Sequence, residues 1–480
     1  MTHTLSDFVK AYDVRGLVPE QLNVDVAWAL GAAFAQVIAQ AEHHGDGPAR
    51  VVIGHDMRPS SPELVDAFAE GVTARGADAL LIGLASTDGL YYASGALNIP
   101  GAMFTASHNP AEYNGIKLCR AGARPVGQDS GLADIRDRAQ ALLDEGTSGF
   151  DRVTPGQIER RELTADYAAF LRGIVDLRAI RPLRVIVDAG NGMAGLTVPA
   201  VLGTAAGLPA LPLTVSEMYF ELDGTFPNHE ANPLDPKNLV DLQEAVRSKG
   251  ADIGIAFDGD ADRCFVVDEV GEPVSPSAIT AMIAAREIAR EVAAGRPASE
   301  VAIVHNAITS AAVPQIITEH GARPVRTRVG HSFVKAVMGE HDAVFGGEHS
   351  AHYYFRDFWF ADTGMLAAMY VLAALGESER PLSEVMAPFD RYPASGEINS
   401  TVADASEVTE RVRDWALSGD PDLRVDDLDG LTVTHPDDPM WWFNLRPSNT
   451  EPLLRLNVEA ADRATMERVR DDVLAIVRQP

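Results

Sequence analysis

The chain has 480 residues, 46% of them hydrophobic, and its 69 acidic and 40 basic side chains give a formal net charge of −29. A chain of this length folds as several domains, roughly three or four at the usual domain size. The negative charge repels phosphate backbones and anionic lipids, so we expect neither a nucleic acid nor a membrane partner.

The cysteines and the first residues bear on the cellular compartment. Cys119 and Cys264 are the only cysteines, so no disulfide framework is expected, as in a reducing compartment. The first residues, MTHTLSDFVKAYDVRG, are polar and charged and unlike a signal peptide. The longest apolar run, residues 364–376, is shorter than the ~20 residues of a membrane helix and predicts a buried helix. We therefore expect a cytoplasmic protein.

Three segments, which begin at Arg50, Leu183 and Val301, share one pattern. Each has a β-rich apolar run, a short polar loop, a helical stretch and a second apolar run about 30 residues after the first, as a βαβ unit requires. These segments predict three α/β domains of similar build.

Helix boundaries can be predicted in two of these segments. In the first, Ser61 and Pro62 predict an N-cap and a first helical residue, and apolar residues follow at helical spacing: Leu64, Val65, Phe68 and Val72. In the third, Gly321 predicts the end of a helix before a strand over residues 324–327.

The C-terminal part of the chain has a different pattern. A linker-like stretch, residues 391–396, precedes predicted strands over residues 397–402, 440–445 and 453–458. A final helix is predicted from apolar residues that share one face: Met466, Val469, Val473 and Ile476. This pattern predicts a small α+β domain. We therefore expect four domains, at residues 1–152, 153–271, 272–382 and 383–480.

A group of carboxylates directly follows the strand predicted over residues 251–257. Asp258, Asp260 and Asp262 lie two residues apart, and their mutual repulsion favours a cation between them. Hard oxygen ligands in this number favour Mg²⁺ or Ca²⁺, and Arg263 beside them has the forked donors that bind a phosphoryl oxygen. A solvated acidic turn is the alternative interpretation.

An EF-hand is a second alternative, because Asp258, Asp260, Asp262 and Glu269 fall on loop positions 1, 3, 5 and 12. The sixth position of that loop requires glycine, however, and here it is Arg263. The next residues, 264–267, predict a strand and not an exit helix. Three protein oxygens also leave positions open on the metal, which suits Mg²⁺ with a substrate phosphate better than a closed Ca²⁺ site.

Residues 190–195, GNGMAG, match the glycine pattern of dinucleotide-binding loops after a strand predicted over residues 184–189. A dinucleotide site also needs an acidic residue about 20 residues later, at the end of the next strand. The region over residues 208–215 is interrupted by glycine and proline and ends near Glu217. We therefore interpret the glycines as a tight turn between a strand and a helix.

Two further loops have compositions suited to a sugar phosphate. Residues 446–450, RPSNT, combine a guanidinium, two hydroxyls and an amide with free backbone N–H groups, as a phosphate site requires, although a capped turn explains them equally well. Residues 347–352, GEHSAH, combine a carboxylate, a hydroxyl and two imidazoles, a mixture suited to sugar hydroxyls. The order of residues in zinc proteases is absent there, and an ordinary surface turn is the alternative.

The motif TASHNP, residues 105–110, lacks both glycines of a hydrolase nucleophile motif. Neighbouring residues in a strand or helix do not face each other, so we expect that His108 is not simply the base for Ser107. A phosphoryl group on Ser107 fits better, since its charge needs the metal. His108, Asn109 and Lys117 would then supply donors and a proton-transfer group.

Together the motifs TASHNP, DGDADR, GEHSAH and RPSNTEP, in this order along the chain, resemble those of the α-D-phosphohexomutase family. The resemblance covers essentially the whole chain and includes KAYDVRG at residues 10–16. It implies an α/β fold of four domains around a central cleft, with three similar mixed α/β domains and a smaller C-terminal α+β domain. This agrees with the three predicted βαβ units.

The resemblance also implies roles for the site residues. Ser107 would be the phosphoserine and would bind Mg²⁺ together with Asp258, Asp260 and Asp262. Phosphoryl transfer would depend on Arg263, His108 and Lys117. The residues that would bind the substrate are Tyr12, Arg15, Asn109, Gly330, His331, Glu348, Ser350, His352, Arg446, Ser448, Asn449 and Thr450.

The sugar loop GEHSAH resembles that of the phosphomannomutase/phosphoglucomutase branch more than that of the phosphoglucosamine mutases. The family's contacts from Glu348 and Ser350 read O3 and O4, which implies that the C2 epimers mannose and glucose are both accepted. One departure concerns the third domain, where some relatives have a lysine near residues 306–309 and this chain has none. Its role would pass to Gly330 and His331 or to Lys335.

The reaction implied is a reversible exchange between hexose 1-phosphate and hexose 6-phosphate through a phosphoserine and a hexose 1,6-bisphosphate. The small-molecule partner would be a sugar phosphate, and the protein a monomer or dimer. Three alternatives remain: a phosphoglucosamine mutase, a dinucleotide-dependent oxidoreductase that uses residues 190–195, and a calcium-binding module that uses residues 258–269.

Overall fold

The computed structural model describes residues 4–9, 12–145, 153–419, 422–436, 439–447 and 453–479. The described residues form four β-sheets with helices packed against them. No helix in the described part of the chain has both the length and the hydropathy needed to cross a bilayer.

The first sheet has seven strands in the order β1-β5-β4-β2-β3-β7, with β6 paired to β5. Strand β2 is parallel to β3 and β4, whereas β5 is antiparallel to β4. The strands are β1 (Val14–Leu17), β2 (Arg50–His55), β3 (Asp78–Leu84), β4 (Gly101–Phe104), β5 (Tyr113–Arg120), β6 (Arg124–Pro125) and β7 (Ile158–Arg160). The helices are α1 (Val24–Phe34), continued by a π-helical turn (Ala35–Ala39), α2 (Ser61–Ala74), α3 (Thr87–Leu97) and α4 (Leu132–Glu145).

The second sheet has five strands in the order β12-β11-β10-β8-β9, and β8 is parallel to both β9 and β10. Its central strands are almost entirely buried and apolar, as expected for strands covered on both faces. The elements are α5 (Thr164–Ile174), β8 (Leu183–Asp188), α6 (Ala194–Val201), β9 (Leu213–Met218), α7 (Val240–Lys249), β10 (Ile253–Phe257), β11 (Cys264–Val267) and β12 (Pro273–Val274).

The third sheet has the strand order β14-β13-β15-β16-β17. Its elements are α8 (Pro276–Ala293), β13 (Ala302–Asn306), α9 (Ala312–Glu319), β14 (Arg323–Thr327), α10 (His331–His341), β15 (Phe345–Gly347), β16 (Tyr353–Phe355), β17 (Ala361–Asp362), α11 (Gly364–Gly376) and α12 (Leu382–Met386). All thirteen residues of α11 are buried, which confirms the buried helix predicted from its apolar run.

The fourth sheet is antiparallel, in the order β18-β22-β21-β20-β19. Its elements are β18 (Ile398–Thr401), α13 (Ala405–Gly419), β19 (Arg424–Asp426), β20 (Leu431–His435), β21 (Trp441–Pro447), β22 (Leu453–Ala460) and α14 (Arg463–Val477). Helix α14 buries Met466, Val469 and Val473 against this sheet, as the helical spacing predicts. The predicted small α+β domain is confirmed.

The three predicted βαβ units are present as parallel pairs joined by a helix: β2-α2-β3, β8-α6-β9 and β13-α9-β14. Gly321 follows α9 with φ +76°, so the predicted helix end is confirmed. The N-cap predicted at Ser61 is wrong by one residue, because α2 begins at Ser61 and its N-cap is Ser60. The Ser61 hydroxyl donates instead to Asp56 Oδ1 at 2.8 Å.

The chain divides into two compact units by its internal packing. The first comprises Met1–Val274, Met338–Phe345 and Ser350–Val385, and the second comprises Ser275–Val337, Gly346–His349 and Met386–Pro480. In the first unit, Phe68 makes an edge contact with Phe104 at 5.4 Å between ring centroids, within a core formed by α1, α2 and the first sheet. In the second unit, a separate core lies between the fourth sheet and helices α13 and α14.

Candidate active site

The loop that carries Ser107 follows β4 and turns sharply at the serine. Ser107 has φ +50°, a left-handed conformation that is uncommon for residues other than glycine. The Thr105 hydroxyl accepts the backbone N–H of Ser107 at 2.9 Å, which supports this turn. The Ser107 side chain is buried and donates from Oγ to Asp258 Oδ2 at 2.8 Å. The serine and the first aspartate of the acidic run are therefore in direct contact.

Arg58 fixes the shape of this loop from a fully buried position. Its Nη2 donates to the backbone oxygens of Ser107 (3.0 Å) and Asn109 (2.7 Å). Its Nη1 donates to the backbone oxygens of Pro110 (2.8 Å) and Tyr113 (2.9 Å). A single guanidinium thus binds four carbonyl groups of the loop.

The acidic run follows β10, and all three of its aspartates are buried. One carboxylate oxygen from each of Asp258, Asp260 and Asp262 can be chosen so that all three lie within 4.8 Å of one another. Asp260 Oδ1 and Asp262 Oδ1 are buried and have no hydrogen-bond partner among the described residues. Buried oxygens of this kind need a cation or a donor, so the three side chains fit a hard divalent metal ion.

Lys117 and Arg263 bring positive charge to the three carboxylates. Lys117 Nζ lies 2.6 Å from both Asp260 Oδ2 and Asp262 Oδ2, and Arg263 Nε donates to Asp258 Oδ2 at 2.8 Å. Burial alone would lower the pKa of Lys117, but the two aspartates outweigh it and raise the pKa. We call Ser107, Lys117, Arg263 and the three aspartates the serine–aspartate cluster.

The aspartates of the cluster differ in their electrostatics. Burial raises the pKa of Asp258 above its usual value, although Arg263 opposes this shift. Burial acts in the same direction on Asp260, but the Lys117 ammonium outweighs it and the pKa of Asp260 is lowered. Charge-neutralising partners therefore hold Asp260 as a carboxylate.

The assumption that His108 and Ser107 do not face each other, on which the expected role of His108 depended, is wrong. His108 Nδ1 lies 3.2 Å from Ser107 Oγ. The expectation assumed the geometry of a strand or helix, whereas Ser107 is in a left-handed turn that brings the two side chains together. Arg263 Nη2 also contacts His108 Nδ1. Burial and the charge of Arg263 lower the pKa of His108 well below its usual value, so the imidazole is neutral at neutral pH.

Arg15, one of the two candidate residues near the N-terminus, contacts the serine loop. Arg15 donates to Asn109 Oδ1 at 2.6 Å and to Asp13 Oδ2 at 2.8 Å. Burial alone would lower the pKa of Arg15, but Asp13 outweighs it and raises the pKa. Tyr12 is half-buried two residues before β1. The resemblance named Arg15 and Asn109 separately, and the structure joins them in one contact.

The GEHSAH loop contributes to both units. In the second unit, Glu348 is buried, and its Oε1 accepts hydrogen bonds from Asn306 Nδ2 and the backbone N–H of Gly330, both at 3.0 Å. His331 begins α10, and Lys335 is buried in the same helix. Glu348 is therefore held by Asn306, which lies in the segment that lacks the lysine of some relatives and for which the sequence indicated no role.

In the first unit, the remaining part of the loop lies against the acidic run. Ser350 Oγ lies 2.9 Å from His352 Nδ1, and His352 Nε2 lies 3.8 Å from Asp262 Oδ1. Arg263 and His352 also form an antiparallel backbone bridge. Ser350 and His352 are thus placed beside the serine–aspartate cluster.

The RPSNT motif is described only in part. Arg446 is the second-last residue of β21, its side chain is 11% exposed, and its Nη2 lies 3.1 Å from Glu397 Oε2. Arg455, directly opposite on β22, lies 3.4 Å from Glu397 Oε1. The predicted phosphate-binding residues Ser448, Asn449 and Thr450 lie outside the described residues.

Residues 190–193 lie in the predicted turn between β8 and α6, and Ala194 and Gly195 begin the helix. Gly190 and Asn191 both have positive φ, and Met193 donates from its backbone N–H to Gly259 O at 2.9 Å. A Cβ on Gly192 would lie only 2.7 Å from Gly259 O, so glycine is needed for this close approach. The glycines therefore support the acidic loop, and β11 follows that loop in place of the exit helix of an EF-hand.

Comparison with known proteins identifies the family. Models of the four phosphoglucomutase/phosphomannomutase domains match the chain: alpha/beta/alpha domain I at residues 7–143, domain II at 165–271, domain III at 276–392 and the C-terminal domain at 397–476. Among curated relatives, proteins named phosphohexose mutases from Xanthomonas campestris are 39% identical, and a phosphomannomutase from Escherichia coli is 38% identical. Each alignment covers 98% of both chains.

Solved structures agree with these matches. The crystal structure of a phosphoglucomutase/phosphomannomutase family protein from Burkholderia thailandensis is 29% identical, with a TM-score of 0.83, and the match covers 98% of this chain and 97% of that one. The family resemblance and the four-domain α/β class inferred from the motifs are confirmed. The chain belongs to the phosphoglucomutase/phosphomannomutase family of enzymes.

Proposed function

We propose that this enzyme exchanges phosphate between the 1- and 6-positions of a hexose, acting on mannose and also on glucose. The reaction is an isomerisation through phospho-Ser107 and a hexose 1,6-bisphosphate intermediate. The contact between Ser107 Oγ and Asp258 at 2.8 Å, inside a cluster of buried charges, carries this proposal. The relatives named phosphomannomutase and phosphohexose mutases support the same enzyme class, and none of the three relatives favours a phosphoglucosamine mutase or an oxidoreductase.

The first transfer moves the phosphoryl group from Ser107 to the free hydroxyl of the sugar phosphate. The bond between phosphorus and Ser107 Oγ breaks as a bond to the sugar oxygen forms, the hydroxyl of the sugar loses its proton, and Ser107 Oγ gains one. The imidazole of His108, 3.2 Å from Ser107 Oγ, supports a role in proton transfer at the serine oxygen, which takes up a proton as the phosphate leaves and gives it up when a phosphate returns. The bisphosphate then turns end for end, and its other phosphate returns to Ser107.

Charge neutralisation is the main contribution of the protein to this transfer. Arg263 Nη2 lies 3.4 Å from Ser107 Oγ, and Lys117 is held as an ammonium between two aspartates. Asp258, Asp260 and Asp262 would hold Mg²⁺, with the serine phosphate as a further ligand. When bound, the ion supplies positive charge next to the transferring group.

The remaining residues would hold the sugar and its other phosphate. Glu348 and Ser350 would bind ring hydroxyls, while Arg446 and residues 448–450 would bind the phosphate that does not react. Each of these groups would belong to a different domain. The domains at residues 1–152, 153–271, 272–382 and 383–480 would carry, in order, the serine, the metal ligands, the sugar loop and the site for the phosphate that does not react. We also propose a cytoplasmic location, because Cys119 and Cys264 do not form a disulfide with each other.

Parallel assays with mannose 1-phosphate and glucose 1-phosphate test the proposal. Each assay contains Mg²⁺ and a catalytic trace of the matching 1,6-bisphosphate, and phosphopeptide mapping locates the phosphoserine. We expect turnover with both sugars, phosphate on Ser107, loss of turnover with a metal chelator, and at least a 10³-fold loss in Ser107→Ala, the order expected when a nucleophile is removed. Exposed Ser418→Ala serves as the control. Unchanged turnover by Ser107→Ala would remove the serine from the mechanism.

A further inference from the structure

Thr87, the first residue of α3, makes two hydrogen bonds to one residue of the serine–aspartate cluster. Its side chain is completely buried, and its Oγ1 donates to Asp260 Oδ2 at 2.6 Å. Its backbone N–H donates to the Asp260 carbonyl oxygen at 3.0 Å. Thr87 therefore holds both the side chain and the backbone of Asp260, although the two residues are 173 positions apart.

These bonds give the two oxygens of the Asp260 carboxylate different surroundings. Oδ2 receives hydrogen bonds from Thr87 Oγ1 and Lys117 Nζ, both at 2.6 Å. Oδ1 is buried and has no hydrogen-bond partner in the part of the chain that the structure describes. Two donors on one oxygen restrict rotation of the carboxylate, so Oδ1 is kept available for another ligand.

The turn that carries Thr87 is itself anchored. The next residue, Asp88, is fully buried, and its Oδ2 accepts hydrogen bonds from Tyr167 OH at 2.7 Å and from Thr363 Oγ1 at 2.6 Å. The Ser86 hydroxyl also contacts Asp88. Because three segments distant in sequence meet at Asp88, the position of Thr87 is fixed independently of its contact with Asp260.

We propose that Thr87 is a positioning residue for the divalent cation, which orients Asp260 so that Oδ1 faces the metal. This inference rests on the proposed function, since it requires the cation at the three aspartates. Partners that orient metal ligands in this way commonly change metal affinity 10- to 100-fold when they are removed. Lys117 neutralises charge on two aspartates, whereas the hydroxyl of Thr87 orients the Asp260 carboxylate without adding charge.

The test measures metal binding directly, on unphosphorylated protein without sugar. Mn²⁺ binding is followed by electron paramagnetic resonance, and Mg²⁺ affinity by competition. We expect Thr87→Val to weaken both affinities about 10- to 100-fold, and Thr87→Ser, which keeps the hydroxyl, to bind within a few-fold of wild type. A second variant, Thr87→Ala, removes the same hydroxyl and leaves more room in the site.

Thr73→Val is the matched control, because it makes the same substitution at a buried threonine of α2 whose hydroxyl donates to the backbone oxygen of Glu70 at 3.1 Å and not to a metal ligand. We expect its metal affinity to stay within about twofold of wild type. Wild-type affinity in both Thr87→Val and Thr87→Ala would overturn the inference. An equal loss of affinity in Thr73→Val would also overturn it, since the effect would then be a general loss of packing.

Asp260→Asn separates this inference from the proposed function. If wild type binds Mn²⁺, Asp260→Asn does not, and neither hexose phosphate is turned over, the proposed function fails while the role of Thr87 stands. If Asp260→Asn binds Mn²⁺ as wild type does, the cation is not at Asp260. The inference about Thr87 then fails whatever the turnover.

Discussion

The guanidinium of Arg58 donates from Nη2 to the backbone carbonyl oxygen of Ser107 at 3.0 Å. Its Nε donates to Asp56 Oδ2 at 3.2 Å, so the arginine links the end of β2 to the serine loop. Burial is the largest influence on the pKa of Arg58 and lowers it, while the carboxylate of Asp56 opposes the shift. One side chain thus determines where the reactive hydroxyl sits, without contacting that hydroxyl.

We predict that Arg58→Lys lowers kcat about 10²-fold, the loss typical of a displacement near 1 Å in a reacting group. A lysine has three donors on a single atom and cannot reproduce the fork that binds four carbonyl groups. Each buried carbonyl left without a donor costs about 1–3 kcal/mol, so the free energy of unfolding should also fall. Steady-state kinetics and urea unfolding measure the two effects.

Arg50→Lys is the control for this prediction, because the Arg50 side chain is 41% exposed and pairs with the exposed carboxylate of Glu159. The free energy of unfolding of Arg50→Lys should differ from that of wild type by about 0.5 kcal/mol or less. Normal kcat in Arg58→Lys would show that the serine loop keeps its shape without the fork.

We predict that Gly259→Ala loses both stability and turnover. A Cβ at Gly259 would lie 2.4 Å from the backbone oxygen of Ser107, so the acidic loop and the serine loop must separate to admit it. Overpacking of this kind costs about 1–3 kcal/mol. Gly173→Ala is the matched control, because a Cβ there meets no atom within 4 Å and the residue lies in α5.

The control substitution should stabilise the protein slightly, by up to about 1 kcal/mol, since alanine favours a helix over glycine. Thermal unfolding and the Mg²⁺-dependent mutase assay of both variants check the pair. Equal behaviour of the two alanine variants would contradict the close contact between the loops.

The helices and strands could be predicted well from the sequence because apolar periodicity determines them locally. The strand over residues 264–267 excluded an EF-hand, and the βαβ units identified three sheets. The contact between Ser107 and Asp258 is different, since these residues follow strands of two separate sheets. No pattern in the sequence indicates that those two sheets bring the serine loop and the acidic loop together. The charge of a phosphoryl group on Ser107 linked the serine to the metal as a hypothesis, and the family resemblance placed both loops in one site.

The supporting residues were missed for a related reason. Arg58 binds backbone carbonyl groups, which are the same in every sequence, so its partners leave no signal in the chain. Thr87 and Asn306 each bind a carboxylate more than 40 positions away. Nothing in their neighbourhoods distinguishes them from other buried polar residues. His108 was misjudged because one left-handed residue, Ser107, reverses the rule for strands and helices.

The pair formed by His229 and Asp188 predicts a pH-dependent contribution to stability. His229 Nε2 lies 2.9 Å from Asp188 Oδ2, and Asp188 also accepts the backbone N–H of Gly190 at 2.8 Å. Burial alone would lower the pKa of His229, but Asp188 outweighs it and raises the pKa above that of the unfolded chain. The contribution is therefore complete below about pH 6.5, the unfolded pKa, and is lost as the pH rises through the folded value.

Urea unfolding of wild type and His229→Gln at pH 5.5 and pH 9 measures this contribution. We expect the destabilisation caused by the substitution to be larger at pH 5.5. In an Asp188→Asn background the same substitution should have an effect that does not depend on pH, because the charge partner is gone. A pH-independent effect in the wild-type background would show that the imidazolium is not stabilised by Asp188.

The contact between Asn306 and Glu348 leads to a prediction about KM for the hexose phosphate. Asn306 Nδ2 and the backbone N–H of Gly330 both donate to Glu348 Oε1 at 3.0 Å, and the Glu348 side chain is buried. Asn306→Leu keeps a similar volume but removes one donor, so Glu348 turns away from a sugar hydroxyl more readily. We expect KM for the hexose phosphate to rise about tenfold, as for the loss of one hydrogen bond to a charged group, with a smaller change in kcat.

Asn238→Leu is the matched control, because Asn238 is also buried and donates to the backbone oxygen of Asn232 and not to Glu348. Both variants should lose about 0.5–1.5 kcal/mol of stability, the usual net contribution of one hydrogen bond, since each acceptor loses one donor and keeps another. The Asn306 variant alone should raise KM, and Asn306→Asp should raise it further because a second carboxylate would face Glu348. If KM stays at the wild-type value in Asn306→Leu, then Gly330 suffices to orient Glu348.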